Sequence, residues 1–138
     1  MDINIYVNQK KINPLCRKAI AEYIKRLTPY CSMSIVCSPG RIKCVSAHSH
    51  SCFAITEDCS STISSEEYAA SINTLSTSGT SKISYYIGYP SDLLNASIPD
   101  IKEFSLCTVS PSYEMSALLL SEQIYRAYTI LNNITYHK

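Results

Sequence analysis

The chain has 138 residues, 46% of them apolar and 17% charged, with a net charge of +1 at neutral pH. That supplies a core for one compact domain over residues 1–138 and argues against global disorder. No apolar run approaches the ~20 residues that span a bilayer, and Met1-Asp2-Ile3-Asn4-Ile5-Tyr6-Val7 has neither the basic nor the long apolar segment of a signal peptide.

Seven cysteines would suggest disulfides in a secreted chain. Their odd number, the absence of a C-x-x-C pair and the missing export signal point instead to reduced thiols and a cytoplasmic protein. Charge is unevenly placed. Residues 1–43 hold eight Lys/Arg (Lys10, Lys11, Arg17, Lys18, Lys25, Arg26, Arg41, Lys43) against Asp2 and Glu22, a balance of +6 that leaves −5 for the remainder. Such asymmetry can mark a face for a polyanion such as RNA, although two exposed helix turns would look the same.

Ile3, Ile5 and Val7 alternate with polar residues, the pattern of a half-buried strand. Asn13-Pro14 reads as an N-cap with proline at the first helical position. Leu15, Ala19, Tyr23, Ile24 and Leu27 then recur at helical spacing until Pro29. Residues 33–37 suit a second strand, residues 38–51 a polar loop, and residues 52–56 a short third strand. Ser64-x-x-Glu67 is a capping-box pattern, and Tyr68, Ala69, Ile72 and Leu75 form the apolar face of the helix it opens.

A buried strand over 83–87 stops at Gly88, and a loop with a short helix fills 90–101. The last strand is expected at 104–109, running into Ser110-Pro111-Ser112. A long helix follows over 114–131, with Met115, Leu118, Leu119, Ile124 and Tyr128 as its inner stripe. Strands alternating with helices predict an α/β fold with a mainly parallel sheet covered on both faces. Ligands on such sheets bind at the carboxyl ends of strands, here the loops after Thr56, Gly88 and Val109.

Cys44, His48, His50 and Cys52 offer four soft ligands in nine residues, but their spacing matches no common zinc module, so no metal is expected. There is no P-loop, no G-x-G-x-x-G and no G-x-S-x-G. By position alone His137 reads as a solvated end, and Arg126 as an exposed or carboxylate-paired arginine.

Four segments in order resemble one family. Ala19-Ile-Ala-Glu-Tyr-Ile-Lys-Arg-Leu-Thr-Pro-Tyr30 is similar to the A-I-x-E-Y-x-K-R-L-x-P-Y of the RlmH-type ribosomal-RNA methyltransferases of the SPOUT superfamily. Ser64-Ser-Glu-Glu-Tyr-Ala69 resembles their S-S-E-x-x-A helix start, and Tyr86-Ile87-Gly88 falls on their I-G-G. Most specific is Glu122-Gln-Ile-Tyr-Arg-Ala-Tyr-Thr-Ile130 closing on Tyr136-His137-Lys138, against E-Q-x-Y-R-A-x-x-I and a terminal Y-H-K.

The resemblance implies a C-terminal trefoil knot and a homodimer with its active sites at the subunit interface. It implies S-adenosylmethionine as cofactor, held by Thr56, Gly88, Leu106, Cys107, Thr108, Val109, Ser110 and Pro111. The implied reaction is methylation at N3 of a pseudouridine in large-subunit ribosomal RNA within the assembled ribosome. His137 and Tyr136 would then orient the base or handle its proton, and Arg126 would contact an anion. The sequence departs from the family at Tyr89 and Asp92 (both glycine), Ser60-Ser61 (Gly-Lys), Ser112-Tyr113 (Pro-His) and Ala117 (arginine). Tyr89 is expected to put a bulky side chain where backbone approaches the cofactor. The alternative implied by such departures is a degenerate SPOUT-fold dimer that binds RNA or ribosomes without catalysis.

Overall fold

Five parallel strands form one sheet in the computed structural model, which describes residues 1–42, 49–56, 63–107 and 109–136. The strands are β1 (Asp2–Val7), β2 (Ser32–Cys37), β3 (His50–Thr56), β4 (Lys82–Ile87) and β5 (Lys102–Ser105), in the order β2-β1-β4-β3-β5. Every neighbouring pair is parallel. Helices α1 (Pro14–Leu27), α2 (Ser65–Thr77), α3 (Ser91–Ser97) and α4 (Tyr113–Leu131) complete the described elements.

Local chemistry sets the helix starts. The Asn13 side chain accepts from the Cys16 N–H at 3.0 Å, and Pro14 takes the position whose N–H would have no partner. Ser64 and Glu67 close a reciprocal capping box at 3.1 and 2.8 Å.

Alternation sets the sheet faces. Ile3, Ile5 and Val7 of β1 and Ile83, Tyr85 and Ile87 of β4 turn to one side, where α4 lies between α1 and α2. Cys52, Ala54 and Tyr86 turn to the other, where they meet Leu94 and Ile98 from the α3 region. Helices thus lie on both faces, but unequally: three on one side and one short helix on the other.

Several boundaries differ from expectation. β3 starts at His50 rather than Cys52, because His50 and Ser51 pair with Lys82 and Ile83 of β4 despite their polarity. β5 lies at Lys102–Ser105, not 104–109, and Leu106 and Cys107 leave the sheet. Leu15 is 82% exposed, and Ile20 and Leu27 carry the buried side of α1 instead. Met115 is likewise exposed. The inner stripe of α4 is Ala117, Leu120, Ser121, Ile124, Ala127 and Tyr128. Small residues at 116, 117 and 121 let this helix sit close on the sheet between its two neighbours.

No helix among the described residues is long and apolar enough to cross a membrane.

Candidate active site

A cavity of about 370 Å³ opens at the carboxyl edge of the sheet. Its walls come from three strand ends: Thr56 after β3, Gly88 after β4, and Leu106, Cys107, Val109 and Pro111 after β5. Ser110 lies between two lining residues and is exposed. Thr108 falls outside the described residues. The first turn of α4 closes the cavity with Tyr113 and Ser116. Parallel strands with antiparallel return helices put all these segments at one edge, which is why loops far apart in sequence converge there.

Gly88 has φ +85°, a conformation that favours glycine. The Tyr113 ring lies against it, and a Cβ added at Gly88 would stand 2.6 Å from two ring carbons. The turn is tied from below by Asn8, whose side-chain amide donates to the Gly88 carbonyl at 2.9 Å.

Tyr89 is also one of the residues lining this cavity. The side chain is 8% exposed and joins the cluster of Cys52, Ala54, Tyr86, Leu94 and Ile98, meeting Tyr86 edge-on at 6.0 Å. Its hydroxyl donates to the Ser38 carbonyl at 2.7 Å. Tyr89 thus stands in the cavity wall, with most of its side chain packed into this cluster. Asp92 is exposed in the first turn of α3, and neither it nor Tyr89 has positive φ, so this backbone does not require glycine at either place. Ala117 is fully buried in α4, where an arginine would have no room. Ser60 and Ser61 fall outside the described residues.

The C-terminal residues form a second constellation. The Tyr136 ring meets Tyr125 edge-on at 5.0 Å, and the Arg126 guanidinium sits 5.7 Å from its centroid. Arg126 also donates to Glu122 through Nε at 3.0 Å, one turn earlier on α4. The Tyr136 hydroxyl is 3.5 Å from that of Tyr23 on α1. Burial, helped by the Tyr23 hydrogen bond and the Glu122 charge, pushes the Tyr136 phenol well above its usual range. At neutral pH Tyr136 therefore keeps its proton. Glu122, Tyr23 and Tyr125 were given no site role by sequence, although Glu122 stands four residues before Arg126, the spacing of a helical ion pair. His137 and Lys138 fall outside the described residues.

These two constellations are not brought together in one chain. Ser116 and Arg126 are ten residues apart on one helix, or about 15 Å at 1.5 Å per residue. The cavity sits at the start of α4 and the Tyr136 cluster at its other end.

Of the four soft ligands, Cys44 and His48 fall outside the described residues. His50 Nε2 is 2.7 Å from the Ser84 hydroxyl, and Cys52 is buried in the α3-side cluster.

The chain matches, over residues 1–137, the family described as "Predicted SPOUT methyltransferase". It is 33% identical over 140 residues to ribosomal RNA large subunit methyltransferase H 1 of Thermoanaerobacter sp. (strain X514), with all of both chains covered. Ribosomal RNA large subunit methyltransferase H of Finegoldia magna is 31% identical over 160 residues, again with both chains covered in full. The protein of that name from Limosilactobacillus reuteri (strain DSM 20016) is 42% identical over 76 residues, 54% of this chain and 48% of its own. Matched nearly end to end, and with its cavity at the carboxyl edge of a parallel sheet, the chain belongs to the SPOUT methyltransferase family.

Proposed function

We propose that this SPOUT methyltransferase uses S-adenosylmethionine to methylate N3 of a pseudouridine in large-subunit ribosomal RNA, within the assembled ribosome. The names of its full-length relatives support the substrate class. The observation that carries the reading is the cavity at Thr56, Gly88 and the 106–111 loop. Its volume falls within the roughly 300–1,000 Å³ common for small-molecule sites. Loop backbone, small or apolar side chains and two tyrosines, Tyr89 and Tyr113, make its walls, a set suited to a nucleoside.

Thr56, Gly88, Leu106, Cys107, Thr108, Val109, Ser110 and Pro111 would hold the cofactor, which when bound supplies an electrophilic methyl group on a sulfonium. Tyr136 works on the substrate side as a hydroxyl donor that orients the base, since its raised phenol is a poor base at neutral pH. Proton handling then belongs to His137. Arg126 has its charge shared with Glu122, so it positions Tyr136 through its stacked guanidinium as well as offering an anion contact.

A site with its two halves at opposite ends of α4 needs a second copy. The working unit is a homodimer in which one protomer's tail meets its partner's cavity. Exposed apolar residues at the cavity side of the molecule suit such an interface: Leu15, Val109 (69% exposed), Tyr113 and Met115. The Asn13 N–H donates to Glu114 at 2.7 Å, holding the starts of α1 and α4 side by side. The family's trefoil knot fits the course of a single cytoplasmic domain in which β5 lies at the sheet edge and α4 returns over β1 and β4.

The non-catalytic alternative rested on the departures from the family pattern. Asp92 and Ala117 lie outside the lining, whereas Tyr89 and Tyr113 are part of the cavity wall, so cofactor binding decides between the two readings. Calorimetry with S-adenosylmethionine, followed by methyl transfer to ribosomes lacking the modification, tests the proposal. Absence of cofactor binding would overturn it.

A further inference from the structure

We propose that Lys10, Lys11, Arg17 and Arg41 form a surface that grips the phosphate backbone of the RNA substrate beside the cofactor cavity, with Asn8 and Tyr89 as positioning residues that fix it there. The proposal rests on the RNA-methyltransferase reading above.

All four cations are exposed, and they come from three segments at the carboxyl edge of β1 and β2. Lys10 and Lys11 follow β1, Arg17 lies in the first turns of α1, and Arg41 follows β2. The Arg17 guanidinium reaches the end of β2, 3.9 Å from Cys37 Sγ. The next residue, Ser38, donates its hydroxyl to the Arg41 carbonyl at 3.0 Å. Arg17 and Arg41 therefore converge on one strand end.

None of the four has a carboxylate partner: among the described residues the ion pairs are Arg26–Glu22 and Arg126–Glu122. Glu114 is taken up by the Asn13 N–H, and Asp92 lies beyond Gly88 on α3. Like charges left together without counterions raise the local potential, which an arriving polyanion relieves.

The surface is also built into the cavity wall. Asn8 uses both ends of its amide, donating to the Gly88 carbonyl at 2.9 Å and accepting from the Gly40 N–H at 2.7 Å. Tyr89, the residue after Gly88, donates to the Ser38 carbonyl at 2.7 Å. The 38–41 turn thus hangs on the Gly88 turn by two side-chain links, and Ile12, buried at 4% exposure, anchors the segment that carries Lys10 and Lys11. A backbone grip held at fixed distance from the cofactor sets how far an extruded base must reach. Phosphate contacts of this kind position the nucleic acid without reading its sequence.

The test compares two doubly neutralised proteins of equal net charge, R17Q/R41Q and K82Q/K102Q. Lys82 and Lys102 begin β4 and β5, at the opposite edge of the sheet. Binding of a fluorescein-labelled oligouridine is followed by anisotropy as salt is raised. R17Q/R41Q should weaken binding about tenfold and flatten the slope of log K against log salt by about 1.4, at roughly 0.7 per lost phosphate contact. K82Q/K102Q should bind as wild type. Y89F should weaken binding about two- to threefold, and calorimetry should find S-adenosylmethionine affinity unchanged in the two double variants. If R17Q/R41Q fails to fold, R41Q alone, on its exposed turn, should show half the slope change.

Wild-type affinity and slope in R17Q/R41Q would overturn the proposal, as would equal weakening by K82Q/K102Q. Displacement of the RNA by polyglutamate as readily as by unlabelled RNA would assign the surface to an acidic protein and overturn it too. Loss of the functional reading would look different: the wild-type protein itself would fail to bind cofactor or transfer methyl, whatever the RNA titrations gave.

Discussion

The ring of Tyr113, first residue of α4, rests on Gly88 so closely that a single added methyl would stand 2.6 Å from it. Two costs are thereby stacked at one position: a left-handed backbone and a filled neighbour space. The ring is 41% exposed and can swing outward, so the backbone should dominate. G88A is expected to lose about 1–2 kcal/mol, the usual cost of that conformation for a residue with a Cβ. The double variant G88A/Y113A should lose nearly the same amount beyond Y113A alone. Urea melts of the four proteins measure it. Recovery of most of the loss in the Y113A background would mean that the clash, not φ, governs the site.

Local signals in the sequence carried most of the architecture. Asn13-Pro14 and Ser64-x-x-Glu67 act within one turn of chain, and both caps form as read. Gly88 punctuated a strand end and stands in the cavity wall. What could not be read depends on partners distant in sequence. His50 and Ser51 are polar, yet β4 recruits them into the sheet. Leu15 keeps helical spacing with Ala19 and Tyr23 but is 82% exposed, because spacing alone cannot say which neighbours will arrive. Asn8 carries no local signal, because its role depends on the Gly88 and Gly40 turns that close around it. The distance between cavity and tail was, by contrast, implicit in the length of the last helix.

His50 should make the fold sensitive to mild acid. Burial, aided by the positive charge of Lys82, lowers its pKa below the ordinary value near 6.5. The folded state therefore binds this proton more weakly than the unfolded chain. His50 contributes its full stability above pH ~6.5 and loses it as pH falls through the lower folded value. Thermal midpoints should drop over that window, and H50Q should flatten the drop. An identical pH profile in H50Q would remove His50 as the cause.

Thiol reactivity offers a direct view of the cavity. Burial pushes the Cys31 and Cys52 thiols up to about 11, so both should resist iodoacetamide in the native protein. Cys107 is half-buried in the cavity wall, while Cys16 is half-buried on α1 and is not among the lining residues. Saturating S-adenosylmethionine should slow alkylation of Cys107 several-fold and leave Cys16 unchanged, as read by peptide mass spectrometry. Equal rates at Cys107 with and without cofactor would place the binding site elsewhere.

The separation of the two constellations along α4 leads to a sharper test of the dimer. A chain truncated before Tyr136 keeps the cavity, which is built from the strand-end loops and the first turn of α4. A G88W chain keeps the tail and fills the cavity. Each should be nearly inactive alone, since losing a group that orients or deprotonates the base typically costs 10²–10⁴-fold in rate. Refolded together in equal amounts, half of the dimers should be mixed, each with one intact cavity facing one intact tail. Activity should then return to about a quarter of wild type, as random pairing about a two-fold axis requires. Calorimetry on the truncated chain should give wild-type cofactor affinity, separating a lost tail from a damaged fold. No recovery on mixing, with mixed dimers confirmed by native mass spectrometry, would mean that cavity and tail meet within one chain or not at all.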